Sequence, residues 1–140
     1  MAVNDAYAED LPYWKTSQSA PDKWLERIGD MIRKSGGEVL QQGFLQSNGR
    51  AAYMLMFSLG ENRFKITWPV MQSKDQKSDY AAKVQAVTMM YHDVKNRLVT
   101  AMVHGFRAAF LEYFLLPDGR TLGIIAEPEL LSSVPKLLGG

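Results

Sequence analysis

Arg63 and Lys65 stand two residues apart in Arg63-Phe64-Lys65-Ile66-Thr67-Trp68, and cations at that spacing can grip neighbouring phosphates. In an extended chain alternate side chains point to opposite faces. Phe64, Ile66 and Trp68 therefore form an apolar face, while Arg63, Lys65 and Thr67 offer two charges and a hydroxyl on the other. Arg50, Lys74, Lys77, Lys83, Lys95 and Arg97 lie on either side of this segment. The eight could line a groove that tracks a polyanionic backbone, with Tyr53 or Tyr80 as faces for base stacking. The same charges also suit a solvated surface, and at this point both readings stay open.

Other chemistry finds less material. The chain has no cysteine, which removes disulfides, thiolate zinc sites and cysteine nucleophiles. His92 and His104 are twelve residues apart, too far along one helix to share a metal ion. Ser47, Ser58, Ser73 and Ser78 lie at turns or strand ends, and none sits in a glycine-flanked elbow. A metal-dependent nuclease would need converging carboxylates. Asp118, Glu127 and Glu129 offer three in a suggestive order, but Ala126 and Pro128 flank the second acid where a lysine is expected. No glycine-rich phosphate loop is present. The expectation is a non-catalytic protein without a cofactor.

The 140 residues suffice for one domain, and 46% hydrophobic residues can fill one core. Formal net charge is +1, unevenly spread. Residues 1–30 hold six acids and three bases, residues 50–107 nine bases and four acids, and residues from 108 onward four acids and two bases. A cationic middle between acidic ends motivates the partner hypothesis. No apolar run approaches the ~20 residues of a membrane span. The acidic start, with Asp5, Glu9 and Asp10, does not resemble a signal peptide. A soluble, cytoplasmic protein is expected.

The elements that must position these residues are legible in the patterning. Residues 1–20 read as an arm whose Tyr7, Tyr13 and Trp14 would dock on the body or on a neighbouring subunit. Residues 21–140 read as a single α+β domain. Trp24, Leu25, Ile28, Met31 and Ile32 recur at helical spacing, capped by Ser19 or Asp22 and stopped by Gly36-Gly37. Glu38–Ser47, Arg50–Ser58 and the cationic segment make three antiparallel strands in a meander, joined at Asn48-Gly49 and Gly60-Glu61-Asn62. Pro69 ends the third strand or confines its tail to an edge. The middle strand is apolar on both faces, which points to subunit contact or a second layer. A long helix follows from Ser78 or Asp79 to about His104, with the stripe Tyr80, Val84, Val87, Tyr91, Val94, Leu98 and Ala101 or Met102. Phe106 and Phe110 suit a short helix burying both rings. Pro117-Asp118-Gly119-Arg120 is a tight turn leading into a strand from Thr121 to Ile125, and the tail carries Pro128 and Pro135.

Lys95-Asn96-Arg97-Leu98 and the run from Phe106 to Gly123, which contains Leu116-Pro117-Asp118-Gly119-Arg120-Thr121, resemble a family of small, mostly uncharacterised phage and prophage proteins. The resemblance extends loosely over roughly residues 25–138. It implies a phage setting and no particular activity. Members of that family have acids between the two phenylalanines, where this chain has Arg107-Ala108-Ala109. Any chemistry those acids perform would be absent here. The order of helix, meander with a cationic strand, and long helix is also similar to the core of ring-forming single-strand annealing proteins. That similarity implies a basic groove between sheet and helix.

These readings lead to two expectations. One is a homo-oligomeric, phage-type protein that binds, and would anneal, single-stranded nucleic acid through Arg50, Arg63, Lys65, Lys74, Lys77, Lys83, Lys95 and Arg97. The other is an oligomeric phage structural or host-interaction protein indifferent to nucleic acid.

Overall fold

The computed structural model describes residues 6–47 and 49–123. Asn48, Ile124, Ile125, Pro128, Pro135 and the acids Glu127 and Glu129 lie outside the described residues. The fold is α+β: helix α1 (Pro21–Lys34), a three-stranded antiparallel sheet, a long helix α2 (Asp79–His104) and a one-turn helix α3 (Phe106–Ala109).

Pro21 at the first position of α1 has no N–H to leave unsatisfied there, and its fixed φ suits a helix start. Ala20 precedes it without a side-chain cap; Ser19 instead accepts from Arg27 at 3.3 Å, and Asp22 lies in the first turn. The helix ends where Gly36 takes φ +88°, a conformation that a Cβ would strain. Gly37 is required by contact, since a Cβ there would meet the Ser58 carbonyl at 2.5 Å. The helix end is thereby pressed onto the sheet.

The strands are β1 (Glu38–Ser47), β2 (Arg50–Leu59) and β3 (Asn62–Val70), in the order β1-β2-β3. Ser47 pairs with Arg50, Leu55 with Gln42 and Ile66, and Phe57 with Val39 and Phe64, with one irregularity between Val39 and Gln41. Tyr53, Leu55, Phe57, Leu59, Phe64 and Ile66 are buried, together with Ile28 and Ile32 of α1 and Val87, Met90 and Val94 of α2. Phe57, Phe64 and Phe110 are fully buried with ring centroids 5.5 Å apart. Each such burial stabilises by roughly 1.5–3 kcal/mol. Both helices therefore cover one face of the sheet. Ala52, Met54 and Met56 line the other, over which no described helix packs.

The 26 residues of α2 rise about 39 Å, longer than a strand of nine or ten residues at about 33 Å. Its ends therefore overhang the sheet. Tyr80 and Met102, expected on the apolar stripe, are 61% and 86% exposed for this reason, whereas Val84, Val87, Val94 and Ala101 of the same stripe are buried. No helix among the described residues is long and apolar enough to cross a membrane.

Candidate nucleic-acid interface

The eight cations read from the sequence do not meet in one groove. The face between sheet and α2 is the packed core, with Phe64 and Ile66 fully buried. Alternation then turns Arg63 and Lys65 to the opposite face of the sheet, away from Lys95 and Arg97 of α2. Lys95 lies on the exposed part of α2. A groove with Arg63 and Lys65 on one wall and Lys95 and Arg97 on the other is thus filled by side chains.

Arg97 is engaged in holding the fold. Its Nε donates to Asp93 Oδ2 at 2.9 Å, its Nη1 to the Ala109 carbonyl at 3.0 Å and its Nη2 to Glu112. The guanidinium lies 4.5 Å from the centre of the Tyr113 ring, and Tyr113 itself donates to Asp93 Oδ2 at 3.2 Å. Burial alone would lower the Arg97 pKa, but the hydrogen bond it donates to Asp93 and the surrounding negative groups outweigh it and raise the value. Burial first, and then the Asp93 charge, pushes the Tyr113 hydroxyl well above the usual phenol range. Arg97 therefore clamps α2 to the segment after α3, leaving few donors for a phosphate.

Four of the remaining cations gather elsewhere. A cleft of about 1020 Å³ opens at the N-terminal end of α2, between the ends of β1 to β3 and the start of the arm. Arg50 and Lys83 line it, with Gln46, Gln72, Ser73 and Gln76 as hydrogen-bonding groups, Tyr7 as an aromatic wall and Asp79 as the one acid. The loop forming one side carries Lys74 and Lys77. Arg50 and Lys77 are exposed, and Lys83 is half-buried with its ammonium 4.9 Å from the centre of the Phe44 ring. Tyr7 is 42% exposed.

The arm shapes this cleft. Residues Ala8–Asp10 form a 3₁₀ turn, and the Ala8 N–H donates to the Gln72 carbonyl at 2.9 Å. The Glu9 carboxylate accepts from the Lys74 N–H at 2.9 Å and from the Ser73 hydroxyl at 3.1 Å. Partial desolvation would raise the Glu9 pKa, but the donors, led by the Lys74 N–H, hold it below the usual carboxylate value. Lys74 Nζ pairs with Asp10 at 3.3 Å and lies 5.5 Å from the Tyr7 ring centre. Lys74 thus braces the wall and is half-committed before any ligand arrives. Further along, Gln85 of α2, 1% exposed, donates to the carbonyls of Ala8 at 2.8 Å and Pro12 at 2.9 Å. Tyr13 stacks on His92 with centroids 4.6 Å apart. The aromatic arm docks on the body of its own chain.

The other candidate groups have structural partners. Tyr53 is 4% exposed in the core, where burial, then Asp22 and Tyr80, raises its hydroxyl pKa to about 12; its ring does not face a ligand. Tyr80 is exposed beside Asp79 at the cleft end. Asp118 accepts from the Arg120 N–H at 2.9 Å and pairs with its guanidinium at 2.8 Å, so it staples its own turn. The backbone donor and the guanidinium lower its pKa. His104 ends α2, apart from His92, and no group of three or more His, Asp or Glu that could hold a metal occurs among the described residues.

Gln85 and Tyr7 were the residues that pattern reading missed as determinants of the cleft. A signal existed for Gln85: an amide surrounded by Val84, Ala86, Val87 and Thr88 must find buried partners. Comparison with protein-family models, curated proteins and solved structures finds no match for this chain.

Proposed function

We propose that this protein binds single-stranded nucleic acid without catalysing a reaction, and that the strand lies in the cleft at the N-terminal end of α2. The observation that carries this reading is the convergence of Arg50 and Lys83 on a cleft walled by the exposed Tyr7 and flanked by Lys77. Phosphates would pair with Arg50 and Lys83, Tyr7 would take a base on its ring, and the glutamine amides would meet base edges or sugar hydroxyls. Arg63, Lys65 and Lys95 would contribute only to the long-range field that draws a polyanion in. On the resemblance of residues 95–98 and 106–123 to small phage proteins, the proposed setting is a phage or prophage in its host cytoplasm, where strand annealing would be one use of such binding.

A labelled oligonucleotide titrated at about 50 and about 200 mM salt tests this directly. With two to four phosphate contacts, affinity should fall roughly 7- to 50-fold between the two conditions. Arg50→Ala with Lys83→Ala should weaken binding by at least about tenfold. Arg63→Ala with Lys65→Ala should change it far less, because those side chains face away. Absence of binding at the lower salt would sink the proposal. Loss through the Arg63 and Lys65 pair alone would move the site to the outer sheet face.

A further inference from the structure

The edge of β1 that faces away from β2 is uncharged from Val39 to Ser47, and its chemistry does not depend on the nucleic-acid reading. From Val39 to Ser47 the strand reads Val-Leu-Gln-Gln-Gly-Phe-Leu-Gln-Ser, nine residues without a charge or a proline. It pairs with β2 on one side, and no described segment pairs with it on the other. Leu40, Phe44 and Leu45 on this strand are 40%, 39% and 48% exposed. An exposed edge strand offers a row of backbone donors and acceptors, and sheet proteins normally block such a row with lysines, prolines, bulges or a covering loop. Among the described residues the only such feature is the irregularity between Val39 and Gln41, close to one end.

We propose that β1 is a homodimerisation edge, on which the β1 strand of a second copy of this chain adds antiparallel about a twofold axis to give a continuous six-stranded sheet. The strand's neutrality selects this occupant. An antiparallel pair about a twofold sets each residue against the same short stretch of its own sequence, so any charge near the middle would face its like. Val39–Ser47 incurs no such repulsion. Glu38, the one charged residue, lies at the end of the strand, where pairing centred on Gln42 sets it opposite the neutral Gln46 of the second copy. A twofold perpendicular to the sheet keeps like faces together and so sets the axis residue against its own counterpart. An axis at Gln42 places the Gln42 side chains of the two copies opposite each other, and a Cβ at the neighbouring Gly43 would meet nothing within 4 Å. The joined outer faces would then present Leu45, Ala52 and Met56 of both copies as one surface.

Sedimentation of the full chain between about 1 and about 100 micromolar should show a monomer passing to a dimer. Gln42→Lys should weaken association by at least about tenfold, and so should Gln42→Glu, while an equimolar mixture of the two should recover it as a heterodimer. Hydrogen exchange on the unaltered chain supplies a measurement that needs no variant. Alternate β1 amides, those turned away from β2, should gain protection as concentration rises. A monomer throughout, a dimer indifferent to both substitutions, or β1 amides protected equally at all concentrations would overturn the proposal. The last result would assign the edge to a segment of the same chain.

Discussion

The two edges of the sheet are built on opposite plans. β3 carries Arg63 and Lys65 on its outer face and Pro69, which has no N–H, near its end. Its first residues are covered: Phe64 bridges to Phe114, the Leu115 N–H donates to the Arg63 carbonyl at 2.9 Å, and Arg107 reaches Asn62 at 3.0 Å. Beyond its end, the Gln72 carbonyl is taken by Ala8 of the arm. Among the described residues β1 has none of these devices between Val39 and Ser47. The contrast teaches that the cations of β3 have a sufficient role in keeping other strands away, without any ligand. If β1 pairs with a second copy as proposed, one edge would be open to that copy while the other is blocked against indiscriminate growth.

The comparison breaks most severely if the cover on β3 is dismantled. Phe110 is fully buried against Phe57 and Phe64, and it joins α3 to the segment that covers the strand. Phe110→Ala should cost about 3–5 kcal/mol, read as a fall in denaturation midpoint. It should also convert β3 into a sticky edge, so light scattering should report irregular aggregates in place of a discrete dimer. If aggregation does not rise, the charges and Pro69 alone protect that edge.

Next in size is the clamp behind the cover. Arg97→Ala leaves Asp93 and Glu112 without their guanidinium and frees the Ala109 carbonyl. A loss of about 2–3 kcal/mol is expected for a half-buried network of this kind. Arg97→Lys should recover less than half, because an ammonium cannot reproduce the planar fork. Amide exchange at Leu115 should accelerate and exchange along β1 should not. Equal acceleration at both would mean that the two edges open together and that the contrast is only geometric.

Alkaline titration separates the same regions with a smaller effect. Tyr53 and Tyr113 both have hydroxyl pKa values raised by burial, to about 12 for Tyr53. A raised pKa means that the folded state holds its proton more tightly. The associated stability is complete below the unfolded phenol value of about 10 and is lost as pH climbs through the folded value. For Tyr53 that window is pH 10 to about 12, and for Tyr113 it begins at the same point and extends higher. Each should be worth about 1–2 kcal/mol after allowance for solvent near the ring edge. Tyr113→Phe should flatten the high-pH loss on the β3 side, detectable as slower amide exchange at Leu115 than in the unaltered chain above pH 10. Glu9 works in the opposite sense. Its lowered pKa stabilises arm docking above the ordinary carboxylate range and loses that contribution as pH falls through the folded value. Tyr7 and Trp14 fluorescence should therefore change on acidification, and Glu9→Gln should abolish the change.

Sequence patterning was sufficient for the elements because their boundaries rest on local chemistry. Pro21, Gly36 and Gly105 stop and start helices, and the alternation in Arg63–Trp68 fixes which face of β3 is buried. The same alternation already contained the failure of the sheet/helix groove. If Phe64 and Ile66 face the helix, Arg63 and Lys65 cannot, whatever their charge. What pattern could not supply were contacts between residues far apart in the chain. Glu9 meets Lys74 across 65 positions, and Gln85 meets Ala8 across 77; nothing local to either residue specifies the other. The cleft depends on those contacts. Its cations were therefore named from the sequence, but their grouping into Arg50, Lys83 and the 74–77 loop was not.

The smallest expected effect probes β1 from within. Gly43 lies mid-strand at an ordinary φ, with open space around the position of a Cβ, opposite Met54 of β2. A β-branched residue there fits the pleat and reduces the freedom of the unfolded chain. Gly43→Val should therefore stabilise the monomer by about 0.5–1 kcal/mol, measured by denaturant unfolding at a concentration too low for association. The side chain would point to the outer face rather than along the edge, so it should leave the backbone row of β1 untouched. Association should then be kept or strengthened, since a stiffer strand has less entropy to lose on pairing. A more stable monomer that no longer associates would show that the outer face, and not the open edge, distinguishes β1 from β3.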